Sequence, residues 1–274
     1  MTKTTDHLGR PIVVVTGIGV LTSLGQGKDA NWAALTSGTS GIRRITRFPT
    51  TGMRTTIAAT VDFVSVPDMS APALSERLAE LVIEEAVTEA AIGTPGDFPG
   101  PLFLALPPVE MEWPQRLALA TASGANETVT YDDLLRAAGT GKFGAYYERF
   151  LFGSVGEHLA DRFGTKGSPI ATSTACASGG TAIQLGVEAI RRGEAEAALV
   201  VGTDASVNPE SIIRFSLLSA LSTRNDPPSS AARPFSKDRD GFVMAEGAGA
   251  LVLESLDHAR ARGATIIGVV EGCG

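Results

Sequence analysis

One short stretch of this sequence holds most of the chemistry it can be asked for. It reads Ser168-Pro169-Ile170-Ala171-Thr172-Ser173-Thr174-Ala175-Cys176-Ala177-Ser178-Gly179-Gly180. An extended segment enters a cysteine, and small residues then open a helix with Ile183, Val187 and Ile190 on one face. A cysteine at such a junction lies at the positive end of a helix dipole, which favours negative charge on sulfur. Its own amide N–H can point at a developing oxyanion. The small neighbours leave room for a substrate carbonyl to reach the sulfur. The pattern is the thiol counterpart of the strand–turn–helix elbow that exposes a serine nucleophile. The residues alone leave a second reading open, a small buried hydrophobe, because free cysteine is among the most buried residue types. Cys273 has no comparable setting and is expected to be buried.

No other cluster competes with Cys176. Two cysteines make no disulfide framework and no CxxC metal spacing, so no metal or cofactor is expected. His7, His158 and His258 are scattered singly, and His258 reads as a solvated surface residue. Gly17-Ile18-Gly19 follows a strand, but Thr22 stands where a dinucleotide fingerprint needs its third glycine. The net charge of −7 argues against broad nucleic-acid binding. No run reaches the ~18 apolar residues of a membrane span. Residues 1–10 are polar with no apolar leader, so a soluble, cytoplasmic location is expected.

The elements that must position Cys176 follow from period and punctuation. With 43% hydrophobic residues, 31 glycines and 15 prolines, the chain has the profile of an α/β enzyme with many tight turns. Strands are expected at 11–15 (ended by Thr16-Gly17-Ile18-Gly19), 57–63, 102–106, 169–175, 197–202, 248–253 and 266–270. Helices are expected at 29–35, 75–92, 131–138, 155–163, 179–192 and 256–262. The alternation predicts a central, mostly parallel sheet. Residues 110–152 give little pattern beyond the helix at 131–138.

Several motifs together resemble the β-ketoacyl-acyl carrier protein synthases. Val13-Val14-Val15-Thr16-Gly17-Ile18-Gly19 is similar to the family's opening strand. Ser40-Gly41-Ile42 and Arg47-Phe48 match the loop that follows. Thr174-Ala175-Cys176-Ala177-Ser178-Gly179 is similar to the active-site signature. Ala220-Leu221-Ser222-Thr223-Arg224-Asn225-Asp226 and the run Arg233-Pro234-Phe235, Asp238-Arg239-Asp240-Gly241-Phe242-Val243, Glu246-Gly247-Ala248-Gly249 match loops of type II members.

The resemblance implies a thiolase-like, layered α/β fold built from two duplicated halves. Residues 1–263 would form the N-terminal half, and 264–274 the truncated start of the second. It implies decarboxylative Claisen condensation of an acyl thioester with malonyl-acyl carrier protein in fatty-acid synthesis, with Cys176 carrying the acyl chain. Acyl carrier protein is then the partner, and a homodimer the expected assembly, with 197–202 matching the family's dimer-edge strand. Phe215 is the acyl-pocket candidate, with ordinary core packing as its alternative. Arg77, Arg43 and Arg44 are carrier-contact candidates, and a solvated loop is the alternative for Arg43 and Arg44. Leu106-Pro107-Pro108-Val109-Glu110 replaces the family's glycine-rich stretch, which bears on acyl chain length. The family's catalytic histidines belong to its second half and have no match here. On this reading residues 1–274 alone would leave Ile183, Val187 and Ile190 partly uncovered, aggregate or stay partly unfolded, and make no product. Another acyltransferase on the same fold, a chain-length-factor-like subunit and a non-catalytic remnant are the alternatives. Chain-length factors generally lack the nucleophile cysteine that is present here.

Overall fold

The structure, a computed structural model, describes residues 4–124 and 128–273. The chain opens with β1 (Val13–Thr22), β2 (Gly25–Gln26), α1 (Lys28–Thr36), β3 (Arg43–Arg44) and β4 (Ile57–Ala58). It continues through α2 (Ala71–Ala90), β5 (Leu102–Ala105), α3 (Trp113–Ala122), α4 (Tyr131–Gly139), α5 (Gly144–Arg149) and α6 (Ser154–Phe163). Then come β6 (Ile170–Thr172), α7 (Ser178–Arg191), β7 (Ala197–Asp204), α8 (Pro209–Leu217), β8 (Gly247–Ser255), α9 (Leu256–Ala261) and β9 (Gly268–Val270).

Period-two alternation sorts the strand residues between two cores. Leu102, Leu104, Leu199 and Val201 face one core with α2 and α6. Phe103, Ala105, Ala198 and Val200 face the other with α7. Helix α2 starts at the Ser70 cap, whose Oγ accepts from the Ala73 N–H, and stops at Ala91 in the left-handed region, φ 48°. Its buried stripe Leu74, Leu78, Val82, Ala86 and Ala90 repeats every four residues and packs on the sheet. The result is helix, sheet, helix, with α2 and α7 on opposite faces.

The main sheet runs β2-β1-β8-β7-β5-β6, and β9 pairs with β1. Only β5–β6 and β5–β7 are parallel; the other pairs are antiparallel. The expected mostly parallel sheet is therefore mixed, because β8 is inserted between β1 and β7. Strand β7 lies inside the sheet, paired on both sides, so 197–202 is not an edge. The free edge on that side is β6, paired only with β5.

Strand β1 also runs on through Thr16-Gly17-Ile18-Gly19 instead of turning there. A Cβ on Gly17 would lie 2.0 Å from the Ala86 carbonyl oxygen, and one on Gly19 1.9 Å from that of Val82. Those glycines let α2 lie directly on β1. The 57–63 strand shrinks to β4, and α3, α5 and α8 were not expected from pattern. Helix α8 had a legible start: Asn208 caps it, accepting from the Ser211 N–H at 2.9 Å, with Pro209 next. Val187 and Ile190 of α7 are fully buried against β5, β7 and β8, and Ile183 is half-buried. The sheet of this chain covers that one side of the helix, and Ile183 stays partly exposed. No helix among the described residues is long and apolar enough to cross a membrane.

Candidate active site

The parallel trio β5, β6 and β7 brings three loops to one end of the sheet, the usual place for a ligand in such topologies. The Leu106 N–H donates to the Thr172 carbonyl at 3.1 Å, so the loop after β5 lies along the approach to the cysteine. Strand β6 ends at Thr172, short of the expected Ala175, because the chain turns out of the sheet. Ala175 takes φ 52°, a left-handed conformation that costs a residue with a Cβ about 1–3 kcal/mol. Cys176 follows and is exposed. The Ala177 N–H donates to the Thr174 carbonyl at 3.2 Å and the Ser178 N–H to that of Ala175 at 3.1 Å. Helix α7 starts at Ser178, and a helix's first turn presents amide N–H groups with no intrahelical partner. Gly179 and Gly180 face open space, where even an added Cβ would touch nothing. In this chain Cys176 is therefore not the buried hydrophobe of the alternative reading. Cys273, expected to be buried, is also exposed, lying just past β9 on the outer side of β1.

Around this elbow the remaining motifs assemble into one loop system. The Ser222 N–H donates to the Phe242 carbonyl at 2.9 Å, and the Phe242 N–H to that of Ala220 at 3.0 Å. Asp240 accepts from Ser222 Oγ at 2.7 Å and the Thr223 N–H at 3.1 Å, which holds its carboxyl below the usual range. Phe215 of α8 is half-buried and meets the Phe242 ring edge-on, 5.4 Å between centroids. It packs with Ile45, Ala58, Ile212 and Met244, so its surroundings are those of a small core as much as of a pocket wall.

A buried ion pair joins two motifs that the sequence showed separately. Arg47 donates to Glu246 through Nη1 at 2.6 Å and Nη2 at 3.0 Å, and to Asp62 at 3.1 Å. Glu246 also accepts from the Val61 N–H at 2.8 Å. Burial pushes the Glu246 carboxyl up, and Arg47 pulls it back.

The three arginine candidates do not form one patch. Arg43 and Arg44 lie on β3; Arg43 donates to the Ser23 carbonyl and Arg44 lies 3.7 Å from Asp226. Arg77 pairs with Glu80 on α2, beside a cavity of about 360 Å³ also lined by Glu76, Glu148 and His158. His158 bridges Glu76 at 3.2 Å and Glu148 at 3.0 Å. Burial lowers its pKa, but the two carboxylates outweigh that and raise it. His258 is no solvated surface residue: it contacts the buried Glu254 at 2.6 Å, as Arg262 does at 2.5 Å and 2.7 Å. Neither histidine lies at the elbow.

The family model for the β-ketoacyl synthase N-terminal domain matches residues 10–79 and 112–259. The chain belongs to the β-ketoacyl synthase family. The span between the two matched segments contains the departing stretch Leu106–Glu110. Among curated relatives, this synthase chain is 34% identical over 268 residues to a putative polyketide beta-ketoacyl synthase 1 of Streptomyces cyaneus, covering 93% of this chain and 60% of that one. It is 34% identical over 272 residues to the 3-oxoacyl-[acyl-carrier-protein] synthase 2 of Vibrio cholerae, covering 96% and 62%. The chain thus spans about 60% of the length of these relatives. Among solved structures, the ketosynthase of a type II polyketide acyl-carrier protein complex, bound to a hexaketide, superimposes with TM-score 0.77 at 30% identity, covering 94% of this chain and 61% of that one. The ishigamide ketosynthase/chain length factor gives 0.73 at 32% identity, covering 96% and 63%. The fold is that of the thiolase-like ketosynthases.

Proposed function

We propose that this protein is a condensing enzyme of the 3-oxoacyl-acyl carrier protein synthase type, with Cys176 as its acyl acceptor. The elbow carries the reading: an exposed thiol, set past a left-handed residue, at the N-terminal end of α7. In the first half-reaction the Cys176 sulfur attacks the carbonyl carbon of an acyl thioester on a carrier protein. The oxyanion forms near the amide N–H groups of the first turn of α7. The bond to the carrier's sulfur then breaks, leaving the acyl chain on Cys176. In the second, malonyl-carrier protein loses carbon dioxide. The electron pair of the broken C–C bond attacks the acyl carbonyl, Cys176 leaves as thiolate, and a 3-oxoacyl chain remains on the carrier. Residues 1–263 act as the first half of the duplicated fold, and β9 opens the second, to which the resemblance assigns the histidines that stabilise the enolate. Phe215 borders the acyl chain, Leu106–Glu110 sets its length, and the acidic carrier is met either by Arg77 on α2 or by Arg43 and Arg44 on β3. The setting is fatty-acid synthesis in the cytoplasm.

The test is direct. Incubation of the full-length protein with an acyl-carrier thioester should add one acyl mass to the peptide containing Cys176. Cys176→Ala should abolish that adduct and lower condensation by about 10³-fold or more. Undiminished turnover by Cys176→Ala would sink the assignment.

The assembly proposed is a homodimer, with β6 of each protomer pairing antiparallel across the free sheet edge. Support comes from the unpaired outer side of β6 and from Ile170, 48% exposed upon it. Ile170→Lys should shift the sedimenting species from dimer to monomer. A parent protein that sediments as a monomer at every concentration would refute the dimer.

A further inference from the structure

We infer that Ser178 and Thr181 are positioning residues that hold Cys176 in its reactive place, an inference that rests on Cys176 being the nucleophile. The residues from Thr174 to the start of α7 at Ser178 form a turn outside every named strand, with left-handed Ala175 just before Cys176. Among the described residues nothing apolar encloses it: Ser173 to Ala177 are all exposed. Its geometry must therefore come from polar contacts. One hydroxyl spans it: Ser178 Oγ accepts from the Thr174 N–H at 2.8 Å and donates to the Ala175 carbonyl at 2.6 Å. The Thr174 N–H lies in the peptide unit before Thr174 and the Ala175 carbonyl in the one after Ala175, so a single side chain brackets the two residues that lead into Cys176.

A second hydroxyl braces the first. Thr181 Oγ1, one turn further along α7, donates to the Ala177 carbonyl at 3.1 Å. Its one proton is then committed, so Thr174 Oγ1, 3.0 Å away, must be the donor in the pair between the two threonines. Thr174 is thereby tied to α7 by both its backbone and its side chain. Cys176 sits in the middle of this closed loop with no side-chain tie of its own. Helix α7 is anchored by the burial of Val187 and Ile190, so the two hydroxyls transmit the rigidity of that helix to the thiol.

Ser178→Ala deletes the hydroxyl, which removes both spanning contacts while adding no bulk. The turn can then relax away from the left-handed conformation and carry the sulfur off line. The experiment uses the full-length protein and follows iodoacetamide alkylation of Cys176 by peptide mass spectrometry, with the exposed Cys273 as internal reference. Ser178→Ala should slow alkylation of Cys176 by about 10-fold or more relative to Cys273. Ser178→Thr, which keeps the hydroxyl, should restore most of the rate. Thr181→Val should give a smaller drop, and it carries the test alone if Ser178→Ala does not fold. In acyl transfer, the alanine variant should lower kcat with KM little changed. Alkylation needs no acyl substrate, so its result stands even if the acyl-transfer reading fails. Parental alkylation rates in both the alanine and valine variants, or equal losses in the alanine and threonine variants, would overturn the inference.

Discussion

Replacing Gly19 with valine is expected to unfold most of the chain. The new Cβ would lie 1.9 Å from the Val82 carbonyl oxygen and 2.7 Å from its carbon, both backbone atoms inside α2. A side chain could swing aside, but a helix backbone cannot. Helix α2 would have to lift from β1, uncovering Leu74, Leu78 and Val82 together. Overpacking and burial losses of that kind exceed about 4 kcal/mol, a large share of the ~5–15 kcal/mol that holds a domain folded. Gly249→Ala is the control: it sits on the neighbouring strand, opposite Val20, and its new Cβ would meet nothing closer than 3.8 Å. Denaturant titration should find the valine variant largely unfolded, or too unstable to purify, and the alanine variant near the parent. A cooperative transition for Gly19→Val at the parental midpoint would show that α2 does not lie where described.

The second large effect concerns Arg47. Its replacement by leucine leaves the carboxylate of Glu246, whose side chain is fully enclosed, with the Val61 N–H but no countercharge. Breaking a buried pair from one side costs about 3–5 kcal/mol, because the orphaned charge stays desolvated. The melting temperature should fall by on the order of 10 °C. Arg47→Leu combined with Glu246→Leu should recover much of that loss, since a pair of leucines has no charge to desolvate. A double variant no better than the single would mean that Arg47 acts through packing of its stem instead.

Much of the local structure was legible because it depends on short-range pattern. The continuous apolar runs at Leu102–Ala105 and 197–202 mark buried strands, and the apolar spacing within 75–92 marks a helix, whatever lies across from them. Cys176 was legible for the same reason, as small residues must surround a sharp turn. Strand order was not legible. An apolar strand such as β7 reads the same at an edge as in the interior, and its neighbour β8 arrives some fifty residues later. Gly17 and Gly19 looked like a turn because a glycine needed for close helix approach and one needed for a positive φ are the same letter. Arg47 and Glu246 were each seen within a motif, but their pairing across 199 residues is a tertiary fact. Ser178 was noted only for its size, while its hydroxyl does the bonding.

The pairing of β1 has a consequence for how the protein is made. Val13 lies opposite Ser255 and Val270, so the first strand of the sheet waits for nearly the last. At the usual ribosomal pace of ~5–20 residues per second, that wait is roughly 10–50 s. During it, α2 is the element available to cover Leu21, while Val14 waits for α9 and the edge that β8 will take stays open. Contacts this distant in sequence also make closure of the sheet slow once synthesis ends. A nascent chain of this kind is exposed to aggregation before β8 emerges, and ribosome-associated chaperones that bind apolar extended segments would meet it at β1.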